Sequence, residues 1–407
     1  MSLSRRQLLK GSLIAVAQIG AGVALVEAGR KGMDLLEQRD TWAEASVSNE
    51  TFLARHATRL ADLEFGASFA PEQWSLDAPG HAEARAALAL AVNDLDLRRL
   101  RLGIRWSRAV DASGNVDLRA YAPFIDYCAA NDVEICLNVG PIRTFRWPEE
   151  HVPRHILESL PELPPQEGLV QVGQPLADTA LDYLDRLLEV VHRDYGSAIS
   201  AIQVENEPFY PLGEHLWRLS PAYLAQVARH VDAVFPDVSL LVSSAGRLDL
   251  RSVRDLFQRL LAGDDRFRDR LISGFDFHYK TPLRDSIPVV RYFDQISFAR
   301  PFAPGLEEHR RDARAIGFGI EVTEGQAEPY GHFEEPGNSA REFRYMALRC
   351  LEHVFEPGTP SLLRIWGVEE LTKRMLHHER TPEHDQIIEL IQTVNAATHP
   401  APEATGT

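Results

Sequence analysis

The feature that most constrains this chain is a rhythm. From residue 62 onward, short apolar runs alternate with longer stretches whose apolar residues recur every three or four positions. A continuous apolar run reads as a strand buried on both faces of a parallel sheet, and the amphipathic stretch after it supplies the crossover helix such a sheet needs. Eight such runs occur, at 63–69, 99–106, 133–139, 198–206, 238–243, 271–278, 318–323 and 362–366. Helical spacing fills 82–95, 118–131, 178–195, 221–235, 250–261, 307–315 and 339–355, with one or two further helices within 368–393. A Pro-rich stretch, 140–175, interrupts the rhythm after the third strand. Eight strand–helix repeats close into one barrel. The competing arrangement, a doubly wound sheet in two domains, calls for a Gly-rich phosphate loop after the first strand, and none is seen there. The expected fold class is therefore α/β, a (β/α)8 TIM barrel in a single domain over 62–395. Residues 31–61 form a lead-in, and 396–407, rich in Ala, Pro and Thr, a flexible tail.

The first 30 residues have a different character. Ser4-Arg5-Arg6-Gln7-Leu8-Leu9-Lys10 is similar to the twin-arginine export motif, a charge-free stretch spans 11–26, and Val26-Glu27-Ala28 offers a cleavage site. A basic start, an apolar middle and a short-residue end make a signal segment, and the apolar part is short against the roughly 20 residues of a spanning helix. Export is expected, to a bacterial periplasm or beyond, with an uncleaved membrane anchor as the alternative. The formal net charge of −16 argues against a nucleic-acid groove, which needs a basic surface, and suits a neutral substrate. The three cysteines, Cys128, Cys136 and Cys350, show no metal-ligand spacing, and Cys128 and Cys136 sit among apolar residues as buried thiols do.

A barrel of this kind keeps its chemistry at the C-terminal ends of the strands. The fourth run ends in Val204-Glu205-Asn206-Glu207-Pro208, and the seventh in Ile320-Glu321-Val322-Thr323-Glu324-Gly325. Each brings a carboxylate to the same mouth. Two carboxyls about 5 Å apart are what retaining glycoside hydrolysis requires, one protonated to serve the leaving oxygen and one ionised to attack the anomeric carbon. Uneven surroundings drive such a pair apart in proton affinity.

The motifs resemble those of the large clan of retaining glycoside hydrolases whose catalytic glutamates stand on barrel strands 4 and 7, the cellulase and β-galactosidase-like superfamily. The resemblance runs from about Phe65 to Trp366. It implies Glu207 as acid/base, Glu324 as nucleophile, and Asn206 as the partner of the sugar 2-hydroxyl. Arg101-Leu102-Gly103-Ile104-Arg105-Trp106 resembles the clan's second strand and implies Arg101 as the arginine that binds the nucleophile. Phe275-Asp276-Phe277-His278-Tyr279 resembles the sixth, with Tyr279 expected beside the nucleophile and His278 against the sugar. Trp366 ends the eighth strand, where a tryptophan underlies the sugar. The substrate implied is a β-linked glycoside or polysaccharide, with no cofactor and no metal.

Rival acids stand close by. Glu205 shares strand parity with Glu207 but lies deeper, and Glu321, three residues before Glu324, falls on the opposite strand face. Arg143, Arg146 and Glu149 in the strand-3 loop are candidate subsite contacts, and Trp147, Phe209, Tyr210, Trp217, Tyr330 and Phe333 are aromatics able to stack on sugars or to pack loops. Two other functions remain open: a metal-dependent barrel enzyme with Glu205, Glu207, His278 and Glu324 as ligands, and a carbohydrate-binding barrel without catalysis.

Overall fold

The structure is a computed structural model, and it describes residues 39–75, 78–111, 113–145, 151–278, 281–282, 292–293, 305–326 and 339–398. The signal segment, Tyr279 and the loop residues Arg146, Trp147, Glu149, Tyr330 and Phe333 lie outside them.

Eight strands form the barrel: β1 Leu63–Phe69, β2 Arg99–Gly103, β3 Glu134–Asn138, β4 Ile199–Gln203, β5 Ser239–Ser244, β6 Leu271–His278, β7 Gly319–Gln326 and β8 Ser361–Trp366. Each pairs in parallel with its neighbours in chain order, and β1 closes the ring on β8 through Leu63↔Ser361 to Ala67↔Ile365. The expected (β/α)8 class is the one observed. Helices pack their apolar stripes onto the outside. In Pro175–Tyr195 the residues Leu176, Ala177, Ala180, Leu184, Leu187, Leu188 and Val191 are all buried at helical spacing. Tyr183 of that helix stacks on Trp106 with ring centroids 4.7 Å apart. Ser339 and Glu342 form a capping box at the start of Ala340–Arg349, the helix that returns from β7 to β8.

The last helix, Pro382–Thr398, runs three residues into the stretch from Ala396 expected to be tail. It is pinned by Asn395, which is fully buried. The Asn395 amide donates to the carbonyls of Phe65 (3.0 Å) and Asp96 (2.9 Å) and accepts from the Phe65 N–H at 2.8 Å. Among the described residues no helix is long and apolar enough to cross a membrane.

The inside of the barrel is mostly polar, which prepares the site. Cys136, Ala201 and Leu241, with Ile272 against them, form one small apolar layer apart from the main core. Below and around it lie ion pairs: Arg99 with Glu64 (3.0 Å) and Glu134 (2.9 Å), and Arg364 with Glu321. All three cysteines are buried.

One irregularity sets the upper layer. Val322 pairs with Phe275 and Glu324 with Asp276, so Thr323 is an extra residue on β7, a β-bulge. The bulge cancels one step of alternation. Glu321, opposite Gly274, and Glu324, opposite Asp276, therefore share a face, which corrects the parity expectation for Glu321. Gly274 makes room for this: a Cβ there would stand 2.9 Å from the Thr323 side chain.

Candidate active site

The end of β4 is built from unusual backbone. Glu205 and Glu207 adopt φ of 59° and 42°, a left-handed region that non-glycine side chains rarely occupy. Local hydrogen bonds hold the turn: Asn206 N–H donates to the Arg143 carbonyl (3.0 Å), Glu207 N–H to the Ser243 hydroxyl (2.8 Å), and Leu219 N–H to the Pro208 carbonyl (2.7 Å). Glu205 is fully buried and is engaged by the loop after β3. Its carboxyl accepts from the backbone N–H groups of Ile142 (3.3 Å) and Arg143 (2.6 Å) and from the Tyr223 hydroxyl (3.1 Å). It is a clamp on the β3 loop. Gly140 is tied to the same clamp, since a Cβ there would lie 2.6 Å from the Glu205 Cα.

Arg101, with no exposed surface, is the hub of the site. Its guanidinium donates to Glu324 Oε1 (2.5 Å), to the Thr323 carbonyl (3.1 Å) and to Asn206 Oδ1 (3.4 Å), and its Nη1 is 4.0 Å from Asp276 Oδ1. The cation lies 4.0 Å over the Phe145 ring. The far oxygen of Glu324 is 3.6 Å from His278 Nε2, and His278 Nδ1 meets Gln326 Oε1. His278 therefore stands beside Glu324, whereas Tyr279, also expected there, lies outside the described residues. Asn206 Oδ1 also accepts from Gln203 Nε2 (3.0 Å) and the Ser243 hydroxyl (3.2 Å), which fixes the amide's orientation. Half-buried Trp366 closes one side, with ring centroids 6.1 Å from Phe145 and 6.5 Å from His278.

Electrostatics separate the two glutamates. Burial, and then the charges of Asp276, Glu324 and Asp249, push Glu207 well above the ordinary carboxylate range, against Arg143. Burial also acts to raise Glu324, but the Arg101 cation and His278 outweigh it and hold Glu324 below that range. For His278, burial opposes protonation, yet its bond to Glu324, that group's charge and Gln326 raise it above the usual imidazole value. The two carboxyls of one buried cluster are thus displaced in opposite directions, Glu207 toward its protonated form and Glu324 toward its ionised form.

The structure thus brings Glu207, Glu324, Arg101, Asn206, His278 and Trp366 to one mouth. Arg143 is not a free subsite contact: its guanidinium binds the carbonyls of Glu207 (2.9 Å), Tyr210 (2.9 Å) and Trp217. Trp217 is buried, donates to the Pro164 carbonyl (3.1 Å) and stacks on His215, so it packs a loop. Glu321 is engaged by Arg364. Sequence reasoning missed Asp276, Phe145, Ser243, Gln203 and Gln326. Asp276 had a usable signal, because it shares the two-residue period of His278. Among the described residues, no group of three or more His, Cys, Asp or Glu is placed to hold a metal ion.

No known sequence family matches the chain, and no curated protein resembles it in sequence. Solved structures do resemble it. A β-galactosidase from Bacillus circulans sp. alkalophilus superposes with a TM-score of 0.51 at 12% identity, covering 82% of this chain and 57% of that one. This chain thus spans little more than half of that enzyme. The catalytic domain of a β-amylase from Paenibacillus polymyxa superposes at 0.50 with 11% identity, covering 82% and 98%. A thermostable mutant of a xylanase from Cellvibrio japonicus gives 0.49 at 13% identity, covering 82% and 99%. At these identities the likeness is one of fold alone, the (β/α)8 barrel.

Proposed function

We propose that this chain is a retaining glycoside hydrolase acting on β-linked glycosides or polysaccharides, with Glu207 as acid/base and Glu324 as nucleophile. The observation that carries the reading is the opposite displacement of two carboxyls in one buried cluster. Retaining catalysis needs that division of protonation states. Glu324, ionised against Arg101, attacks the anomeric carbon as the glycosidic C–O bond breaks, and Glu207 gives its proton to the departing oxygen. Glu207, now a carboxylate, takes a proton from water, which cleaves the Glu324 ester and restores both groups. With its Oδ1 held by three donors, Asn206 has its NH2 group left for the sugar 2-hydroxyl. Trp366, with Phe145 and His278 beside it, supplies an aromatic floor. The Arg5-Arg6 motif supports export of the folded enzyme across a bacterial inner membrane.

Azide rescue tests the roles. In Glu207→Ala, a substrate with a very good leaving group still forms the ester, and azide entering from the vacated side gives a β-glycosyl azide. In Glu324→Ala no ester forms, and azide attacks from the nucleophile's face to give the α-anomer from a β-glycoside. The same anomer from both variants rules out the assignment. A barrel that only binds carbohydrate gives no product in either wild type or variants.

A further inference from the structure

Two carboxyls, Glu324 and Asp276, share Arg101, and Glu207 is coupled to both. Asp276 on β6 has no exposed surface and lies directly across the register from Glu324. Its Oδ1 accepts the Thr323 hydroxyl and stands 4.0 Å from Arg101 Nη1, whereas Glu324 meets the same guanidinium at 2.5 Å. No polar group of the described residues reaches its Oδ2.

Arg101 carries one permanent positive charge. Attraction weakens with distance, so the first negative charge of the cluster belongs to Glu324. An ionised carboxylate with one bare oxygen is costly in the interior, so Asp276 keeps its proton in mild acid. As pH rises, the second charge must fall on Asp276 or on Glu207. Asp276 has a hydroxyl donor from Thr323 and two cations nearby, Arg101 on β2 and His278 on its own strand. Glu207 faces Asp276, Glu324 and Asp249, opposed by Arg143, whose guanidinium is engaged with backbone carbonyls.

We propose that Asp276 is a positioning residue for the acid: it takes the second negative charge of the cluster in place of Glu207, and that charge then holds the proton on Glu207. The inference rests on the reading of Glu207 as the acid/base. The order of ionisation agrees with it. Burial and the Glu324 charge bring Asp276 to about 7, against Arg101, Thr323 and His278, while Glu207 is raised well above its ordinary value with Asp276 the largest of the charges acting on it. Such coupled groups titrate as a set, so the assignment has to be read site by site.

Infrared titration of the buried carboxyl C=O bands reads it directly. Loss in Asp276→Asn and in Glu207→Gln identifies the two bands. In the wild type the Asp276 band should vanish at lower pH than the Glu207 band. In Asp276→Asn the Glu207 band should vanish at lower pH than in the wild type, and the alkaline limb of kcat/KM on an aryl β-glycoside should move down with it. If Asp276→Asn does not fold, Thr323→Val removes one donor to Asp276 and should make the Asp276 band persist to higher pH. A Glu207 band that titrates at the same pH with and without the Asp276 carboxyl overturns the proposal, as does a Glu207 band lost before that of Asp276 or an Asp276 band unmoved in Thr323→Val. A purely structural Asp276 would lower stability or rate without moving the Glu207 titration. Should the wild type cleave no glycoside, the hydrolase reading fails, while the infrared bands still decide whether Asp276 governs Glu207.

Discussion

Removing the Arg101 charge is the sharpest perturbation of this site. Arg101→Met preserves much of the side chain's apolar volume over Phe145 but leaves Glu324 to His278 at 3.6 Å. Breaking a buried ion pair from one side costs about 3–5 kcal/mol, because the remaining charge stays buried. Here that cost falls on ionised Glu324, the form required for attack. At about 1.4 kcal/mol per factor of ten, kcat/KM should fall by about two to nearly four orders of magnitude. The pH profile carries the sign. Arg101 holds Glu324 below the ordinary carboxylate range, so Glu324 is ionised above a lowered value, and without Arg101 that value rises. The acid limb of the profile should therefore move to higher pH. The same linkage acts on stability: the pair stabilises the fold above the ordinary carboxylate pKa, and that contribution disappears as pH falls through the lowered folded value. Arg101→Lys keeps a cation but cannot bond Glu324, Thr323 and Asn206 together from one planar fork. Losing one charge-assisted bond of about 1.5–3 kcal/mol should cost it roughly ten- to a hundredfold, with the acid limb moved less than in the Met variant. The assay is kcat/KM against pH on an aryl β-glycoside for the three proteins, each checked for folding by circular dichroism. A Met variant within tenfold of wild type, with an unmoved acid limb, refutes the reasoning.

Other outcomes follow from the same contacts. Burial, against its bonds to Arg143, Ile142 and Tyr223, raises Glu205 from 4.5 to about 7. Its stabilising contribution is thus fully present below the ordinary value and lost as pH rises through about 7, about 3 kcal/mol in all at about 1.4 kcal/mol per pH unit. Denaturant melts across this window should show a flatter pH dependence in Glu205→Gln. Glu321→Gln strands Arg364 and should cost about 3 kcal/mol of stability while kcat stays within a few-fold of wild type, and a loss as deep as that of Glu324→Ala would make Glu321 the nucleophile. Replacing Arg5 and Arg6 by lysine should leave the protein in the cytoplasmic fraction, and unchanged export would mean another route.

The fold was legible because its signal is local. β1 and β6 have the bounds that their apolar runs predict. Strand ends were harder, and the errors cluster at the mouth. The run 198–206 predicts more strand than β4 has, because the chain leaves the sheet after Gln203 and turns through positive φ at Glu205 and Glu207. The run 318–323 predicts less than β7 has, since Thr323-Glu324-Gly325-Gln326 breaks the apolar pattern while ladder pairing with β6 continues to His278. The bulge at Thr323 was invisible for another reason: it depends on space left by Gly274, some 50 residues earlier, and no local pattern encodes that meeting. His278 was expected at the mouth and Asp276 shares its parity, but that His278 would face Glu324 and Asp276 would share Arg101 with it needed the geometry.

These departures from regular structure have a common consequence. Regular strands at β4 and β7 would present alternate residues only, one carboxyl per two positions, each in line with its own strand. The bulge at Thr323 instead moves Glu324 into register with Asp276, and so toward Arg101 on β2, three strands away around the barrel. The left-handed backbone at Glu205 and Glu207 sets the Glu205 carboxyl against the β3 loop and leaves Glu207 in the proposed catalytic cluster. Each such residue costs of order 1–3 kcal/mol, and each persists only if its surroundings over-determine it. At β4 they do: Gln203 donates to the Glu205 carbonyl (2.9 Å), Ser243 accepts from Glu207 N–H, and Arg143 binds the Glu207 carbonyl while its own N–H is held by the Glu205 carboxyl. That closed circuit makes Glu205 indispensable to the shape of the mouth without a part in the chemistry. Its loss should therefore appear as loosened positioning of Glu207, with kcat falling while the product keeps its anomeric configuration, whereas loss of Glu207 or Glu324 changes the route to product.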